Sequence, residues 1–177
     1  ERIMDGSVRE LEGALRKIKE QYQPTINMVK DLGIPLPHLL GSTVELTLNS
    51  DLLRRLEKTE LNREEIFRLA EQFREYNIRP DRRALTFLIS QRITGLMESL
   101  ELPPEERQEL DSVIFLLEIG ERFRLDLDLW KAQNIYYKLR RRMPKRAREH
   151  KESGDRLYSD WFPLFQRLGH LLHVGVE

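Results

Sequence analysis

NREEIFRLAEQFREYNIRPDRRALTFLISQRITGLMESL, residues Asn62 to Leu100, decides the fold class. Asn62 with Glu65 three positions later is a helix-capping pattern, because a short side-chain oxygen can accept from a free N–H of the first turn. It leads into Ile66, Leu69, Ala70 and Phe73 at the 3.6-residue period of an amphipathic helix. Pro80 and Asp81 then open a second helix carrying Leu85, Leu88, Ile89, Ile93, Leu96 and Leu100, so the two helices join near Asn77.

The same grammar extends outward in both directions. Ser7 with Glu10 and Ser42 with Glu45 repeat the capping pattern, the first before Val8, Leu11, Leu15, Ile18 and Tyr22, the second before Val44, Leu46, Leu48, Leu52, Leu53 and Leu56. Pro24 kinks or ends the first run, Ile26 and Val29 carry a continuation to Gly33, and IPLP at Ile34 to Pro37 is extended. Asn49 and Ser50 are a point at which the leucine-rich run can divide into two helices.

Beyond Leu100, Pro103 and Pro104 open a helix whose centre, VIFLL from Val113 to Leu117, is apolar on every side and therefore buried all round. Leu125, Leu127 and Leu129 alternate with Asp126 and Asp128. That is a strand period, but it lasts five residues, and Asp128 as the cap of the next helix is the better reading. Past Met143 and Pro144, a polar stretch to about Asp155 is the candidate mobile loop or frayed helix. A final amphipathic helix carries Leu157, Trp161, Leu164, Phe165, Leu168, Leu171 and Leu172, with Pro163 expected near its start. His173 to Glu177 alternates weakly, as a short edge strand does. The expectation is an all-α bundle of six to eight helices, one domain over residues 1–177. Because it starts at Glu1, the chain is also expected to be a piece of a longer polypeptide.

Composition removes several functions. Lys plus Arg and Asp plus Glu are 30 each, so no global field draws in nucleic acid or an anionic membrane. There is no cysteine, which excludes disulfides, thiol catalysis and cysteine-based zinc sites and fits a reducing, cytoplasmic setting. No apolar run approaches the ~18 residues of a membrane span. A Gly-rich phosphate loop, a G-x-S-x-G elbow and a carboxylate pair standing apart from ordinary helix charges are all missing, so no catalytic residue is assigned and no cofactor is expected. His170 and His173 have a metal-compatible spacing but no convincing third ligand, and no metal is assigned.

The segment LWKAQNIYYKL, Leu129 to Leu139, carries the functional signal. Read as a helix, it turns Leu129, Ala132, Ile135, Tyr136 and Leu139 to a core. On the other side Trp130, Gln133, Asn134 and Tyr137 stand at i, i+3, i+4 and i+7. Two aromatic plates flanking two amides suit a sugar, since rings cover the apolar faces of pyranoses while amides exchange hydrogen bonds with hydroxyls. The bland reading is that Trp130 and Tyr137 pack beneath a neighbouring helix and the amides bond to loop backbone. Next comes a basic run including Arg140, Arg141, Arg142, Lys145, Arg146 and Arg148. It can grip an acidic partner or RNA, or merely complement the negative end of its helix; the aromatics nearby form no recognisable RNA-binding motif.

LDLDLWKAQNIYYKL at Leu125 to Leu139 resembles the LW-x-AQN-x-Y-Y signature of an uncharacterised C-terminal region in bacterial proteins with a glycoside hydrolase family 57 catalytic domain. LGIPLP at Leu32 to Pro37, LTLNSDLLRRL at Leu46 to Leu56 and LGHLLHVGV at Leu168 to Val176 resemble the same region, so the likeness covers most of the chain. It implies a parent acting on α-glucans or related α-glycosides through two carboxylates on a distorted barrel. Neither carboxylate motif can be placed here, and no catalytic residue is carried over. It also implies that this region packs on the barrel and brings Trp130, Gln133, Asn134 and Tyr137 to the glycan cleft or the domain interface. The expected partners are therefore the barrel of the same polypeptide and an α-glucan. A helical interaction or regulatory module that binds an acidic partner or RNA through the basic run is the alternative.

Overall fold

The computed structural model describes residues 2–100, 107–153 and 156–174. Among them are eight helices and no strand: α1 (Arg2–Gln21), α2 (Gln23–Asp31), α3 (His38–Glu57), α4 (Arg63–Glu75), α5 (Arg82–Ser99), α6 (Arg107–Arg122), α7 (Trp130–Ser153) and α8 (Arg156–Leu171). The all-α expectation holds. None of these helices is long and apolar enough to cross a membrane. The chain divides into two compact units, Glu1–Asp81 and Arg82–Glu177.

In the first unit α3 is the hub, packing against α1 and α4. Val44, Leu48, Leu52 and Leu56, one residue per turn, are fully buried and meet Ile66, Ala70 and Phe73 of α4. Thr43 and Thr47 are buried beside them at little cost, because their hydroxyls donate to the Leu39 and Thr43 carbonyls at 2.9 and 2.7 Å. Asn62 caps α4 as its spacing predicts, its Oδ1 accepting from the Glu65 N–H at 3.1 Å.

Ser7 and Ser42 cap nothing. Each lies inside a helix, α1 beginning by Arg2 and α3 at His38 directly behind the extended Pro37. The proline fixes the start of α3 four residues before the capping pattern, so the polar signature falls one turn too late. Nor do Asn49 and Ser50 divide α3. Asn49 donates to the Glu45 carbonyl at 3.0 Å, and its Oδ1 accepts the Asp81 N–H at 2.6 Å, tying the last residue of the first unit to α3.

The orientation of α1 departs most from a simple amphipathic reading. Its charged flank meets α3 through two ion pairs, Arg16–Asp51 and Glu12–Arg54. That leaves Val8, Leu11, Ile18 and Tyr22 exposed on its apolar stripe. On the same flank burial lowers the Lys19 ammonium below its usual range, with Asp51 opposing the shift.

In the second unit α6 is buried as its all-round apolarity demands, Leu110, Val113, Ile114, Phe115, Leu116, Leu117 and Ile119 being 3% exposed or less. It is flanked by α5, through Leu85, Ile89, Ile93 and Met97, and by α8. Across α7 and α8 three rings stack in series: Tyr136 on Phe165 at 4.4 Å between centroids and Phe165 on Trp161 at 4.9 Å, each pair at 16°. The polar stretch after Met143 is not a loop, since the α7 backbone stays helical past Pro144 to Ser153. Pro163 sits inside α8, where it removes one helical donor, rather than near its start. The Pro103–Pro104 helix opening lies outside the described residues.

Four helices end in the same way. After α2, α4, α6 and α8 a residue turns left-handed, namely Gly33 (φ 65°), Asn77 (φ 53°), Arg124 (φ 52°) and His173 (φ 54°). Each following N–H returns to the carbonyl five residues back: Ile34 to Val29, Ile78 to Phe73, Leu125 to Gly120 and Val174 to Gly169, at 2.8 to 3.1 Å. The tail after His173 is thus a helix cap at Val174 and not an edge strand over its described part.

Only one of these four positions is glycine, and a left-handed turn strains a residue with a Cβ. Arg124→Gly should therefore stabilise the fold by roughly 0.5–1 kcal/mol in urea unfolding followed by circular dichroism, and Asn77→Gly by less, because asparagine tolerates this conformation better. Equal destabilisation by both would contradict the cap geometry.

Candidate functional site

The site begins at Gly120. A Cβ there would stand 2.5 Å from Leu127 Cδ1, so glycine lets the extended segment 125–129 lie close against α6. Leu125, Leu127 and Leu129 are half-buried while Asp126 and Asp128 stay exposed, the alternation noted in the sequence but without strand pairing. Two bonds within the second unit hold the segment: the Asp128 N–H donates to Ser90 Oγ at 3.0 Å, and the Arg82 guanidinium donates to the Arg124 carbonyl. Asp128 then starts α7, its Oδ1 accepting the Trp130 N–H at 3.3 Å, which places a carboxylate at the positive end of the helix.

From there α7 has the two faces its sequence implies. Ala132, Tyr136 and Leu139 are buried, with Leu129 and Ile135 at the margin. Burial pushes the Tyr136 phenol above its usual range, Arg140 pulling the other way. On the opposite flank Trp130 is 69% and Tyr137 49% exposed. The two amides between them differ. Gln133 is half-buried, and its Nε2 donates to the Leu172 carbonyl at 2.9 Å, tying α7 to the end of α8. Asn134 is exposed, with its Nδ2 turned back to the Trp130 carbonyl at 3.0 Å. The bland reading therefore holds for Gln133, whereas Trp130, Asn134 and Tyr137 remain on the surface together.

The basic run divides as well. Arg140 is half-buried, Arg141 and Arg142 are exposed, and the side chains of Lys145, Arg146 and Arg148 lie outside the described residues. Arg141, four residues after Tyr137, continues the aromatic flank by one turn.

Beside the start of α7 is a feature not singled out in the sequence. An open groove of about 830 Å³ runs between α5 and the 125–131 segment, with Phe87, Ser90, Gln91, Asp126, Asp128 and Lys131 among its walls. Phe87 is 70% exposed. Its signal was present: it lies off the Leu85, Ile89, Ile93, Met97 line, on the side of α5 occupied by Arg83, Gln91 and Glu98, where an apolar ring has no core to enter. Its partners across the groove are about 40 residues away in sequence, which hides the pairing from local pattern reading. Among the described residues there is no group of three side chains able to hold a metal ion.

In comparisons with protein-family models, curated proteins and solved structures, the chain has no significant match.

The different engagement of the two amides has a measurable consequence. Gln133→Ala should cost about 1 kcal/mol in thermal or urea unfolding, because it leaves the part-buried Leu172 carbonyl without its donor. Asn134→Ala should stay within about 0.5 kcal/mol of the parent chain, as surface changes do. The reverse order would show that the α7–α8 tie is misplaced.

Proposed function

We propose that this chain is a helical, non-catalytic accessory region of a family-57-like glycoside hydrolase acting on α-glucans, packing on the catalytic barrel and turning the aromatic flank of α7 toward the glycan. The observation that carries the reading is the exposure of Trp130 and Tyr137 on one side of α7 while Tyr136, between them in sequence, is locked into the ring stack on the other. Two large rings left in water beside the exposed Asn134 amide are matched by a ligand with apolar ring faces and hydroxyl rims. The likeness of Leu125 to Leu139 to the family signature supplies the glycan class.

The packing role draws on α1. Val8, Leu11, Ile18 and Tyr22 form an outward apolar stripe, and covering such side chains is worth roughly 1.5–3 kcal/mol each for the aliphatic ones. The two ion pairs that hold α1 on α3, one part-buried and one exposed, contribute about 1 kcal/mol or less apiece, so a barrel surface seated on the stripe would be the stronger tether.

In the full-length enzyme, Trp130→Ala and Tyr137→Ala should each lower kcat/KM on amylose roughly tenfold, the size of effect expected from losing an aromatic anchor, and leave the melting temperature unchanged. The isolated chain should release no reducing sugar. Unaltered kcat/KM in both variants would remove the cleft role.

A further inference from the structure

We infer that the groove between α5 and the 125–131 segment is a binding subsite for a neutral oligosaccharide, with one sugar ring seated on Phe87. This rests on the glycan reading above and extends it to Phe87 and the α5 wall of the groove, which lie outside the stretches that carry the family likeness. Four observations converge on it.

The first is Phe87, a ring 70% exposed on a helix whose apolar neighbours at Leu85 and Ile89 are fully buried. The second is charge. Arg82, Arg83 and Lys131 face Glu98, Asp126 and Asp128, three of each sign, so the groove selects neither an anion such as a phosphate nor a cation, while offering both donors and acceptors. The third is availability. Arg82 and Asp128 are engaged with backbone, but Gln91, Asp126 and Lys131 have no hydrogen-bond or ion-pair partner among the described residues. An amide, a carboxylate and an ammonium around an aromatic plate can between them donate to and accept from the hydroxyls of one pyranose.

The fourth is shape and continuity. About 830 Å³ lies within the range of small-molecule sites, and the groove is an open trough, as a chain-like ligand requires. Its wall ends at Lys131, the residue after Trp130 and about 100° round the helix from it. A glucan seated on Phe87 and leaving the groove over the first turn of α7 therefore meets Trp130 next. Small residues keep the floor low: Gly95 has open space where a Cβ would be, and Ser90 and Thr94 lie on the same side of α5.

The test is calorimetric titration of the purified 177-residue chain with maltoheptaose, beside Phe87→Ala, Asp126→Ala and Trp130→Ala. Phe87, Asp126 and Trp130 are exposed, so melting temperatures should match the parent chain and confirm that each variant folds. Saturable binding that hardly responds to salt is expected, weakened at least about tenfold by Phe87→Ala and by Asp126→Ala. Absence of binding by the parent chain overturns the inference, as does undiminished affinity in both groove variants. If Trp130→Ala alone abolishes binding, the groove fails while the α7 flank stands. If the groove variants alone abolish it, the groove stands and the α7 flank is not the glycan contact.

Discussion

The series of rings Tyr136, Phe165 and Trp161, which joins α7 to α8, is the constraint on which the functional surface depends. A helix of α7's composition can bury one stripe only, and the stack decides which. With Tyr136 held at 4.4 Å from Phe165 and Ala132 and Leu139 above and below it, residues 130, 134 and 137 have no direction but outward. A buried phenol and two further aromatic rings supply several kcal/mol of burial, well above any surface contact available to the opposite flank. The exposed Trp130 is therefore a consequence of core packing.

The second constraint is the close approach of segment 125–129 to α6 at Gly120. It carries the chain from the left-handed Arg124 to the start of α7 in five residues, points Asp126 and Asp128 away from the core, and sets them across from Phe87 of α5. Arg82 on the Arg124 carbonyl and Ser90 under the Asp128 N–H bind the same short stretch from α5. Both candidate surfaces, the flank and the groove, thus share one scaffold: the junction at which α6 ends and α7 begins.

Much of this was legible in the sequence, and the parts that were not share physical causes. Long apolar periodicities were reliable because burial dominates: α4, α5 and α6 lie where their spacing puts them, and Asn62 caps where it should. Four-residue polar signals were less so. The Ser7 and Ser42 patterns have the right chemistry, yet a helix begins wherever its first turn is nucleated, and Pro37 starts α3 one turn earlier. Pro163 shows packing overriding a local breaker, since Trp161 and Phe165 on either side of it are buried, and the α1 stripe faces outward although its apolar period alone would turn it to a core. Within the site, the spacing set Trp130, Asn134 and Tyr137 on the flank opposite Tyr136, but it left open whether a neighbouring helix covers them, because that depends on contacts distant in sequence. The engagement of Gln133 was not legible, because its partner, the Leu172 carbonyl, is 39 residues away. The pairing of Phe87 with Asp126 and Asp128 across the groove was hidden for the same reason.

The outward direction of Trp130 can be measured without any ligand, since the chain has two tryptophans and the structure separates them, Trp130 at 69% exposure and Trp161 at 5%. Trp161→Phe leaves Trp130 as the sole indole; its emission should be red-shifted and quenched by iodide nearly as readily as free indole. Trp130→Phe leaves Trp161, which should emit to the blue and resist the quencher. A Trp130 shielded from iodide in this chain alone would contradict the two-faced α7 and leave the glycan account without its platform.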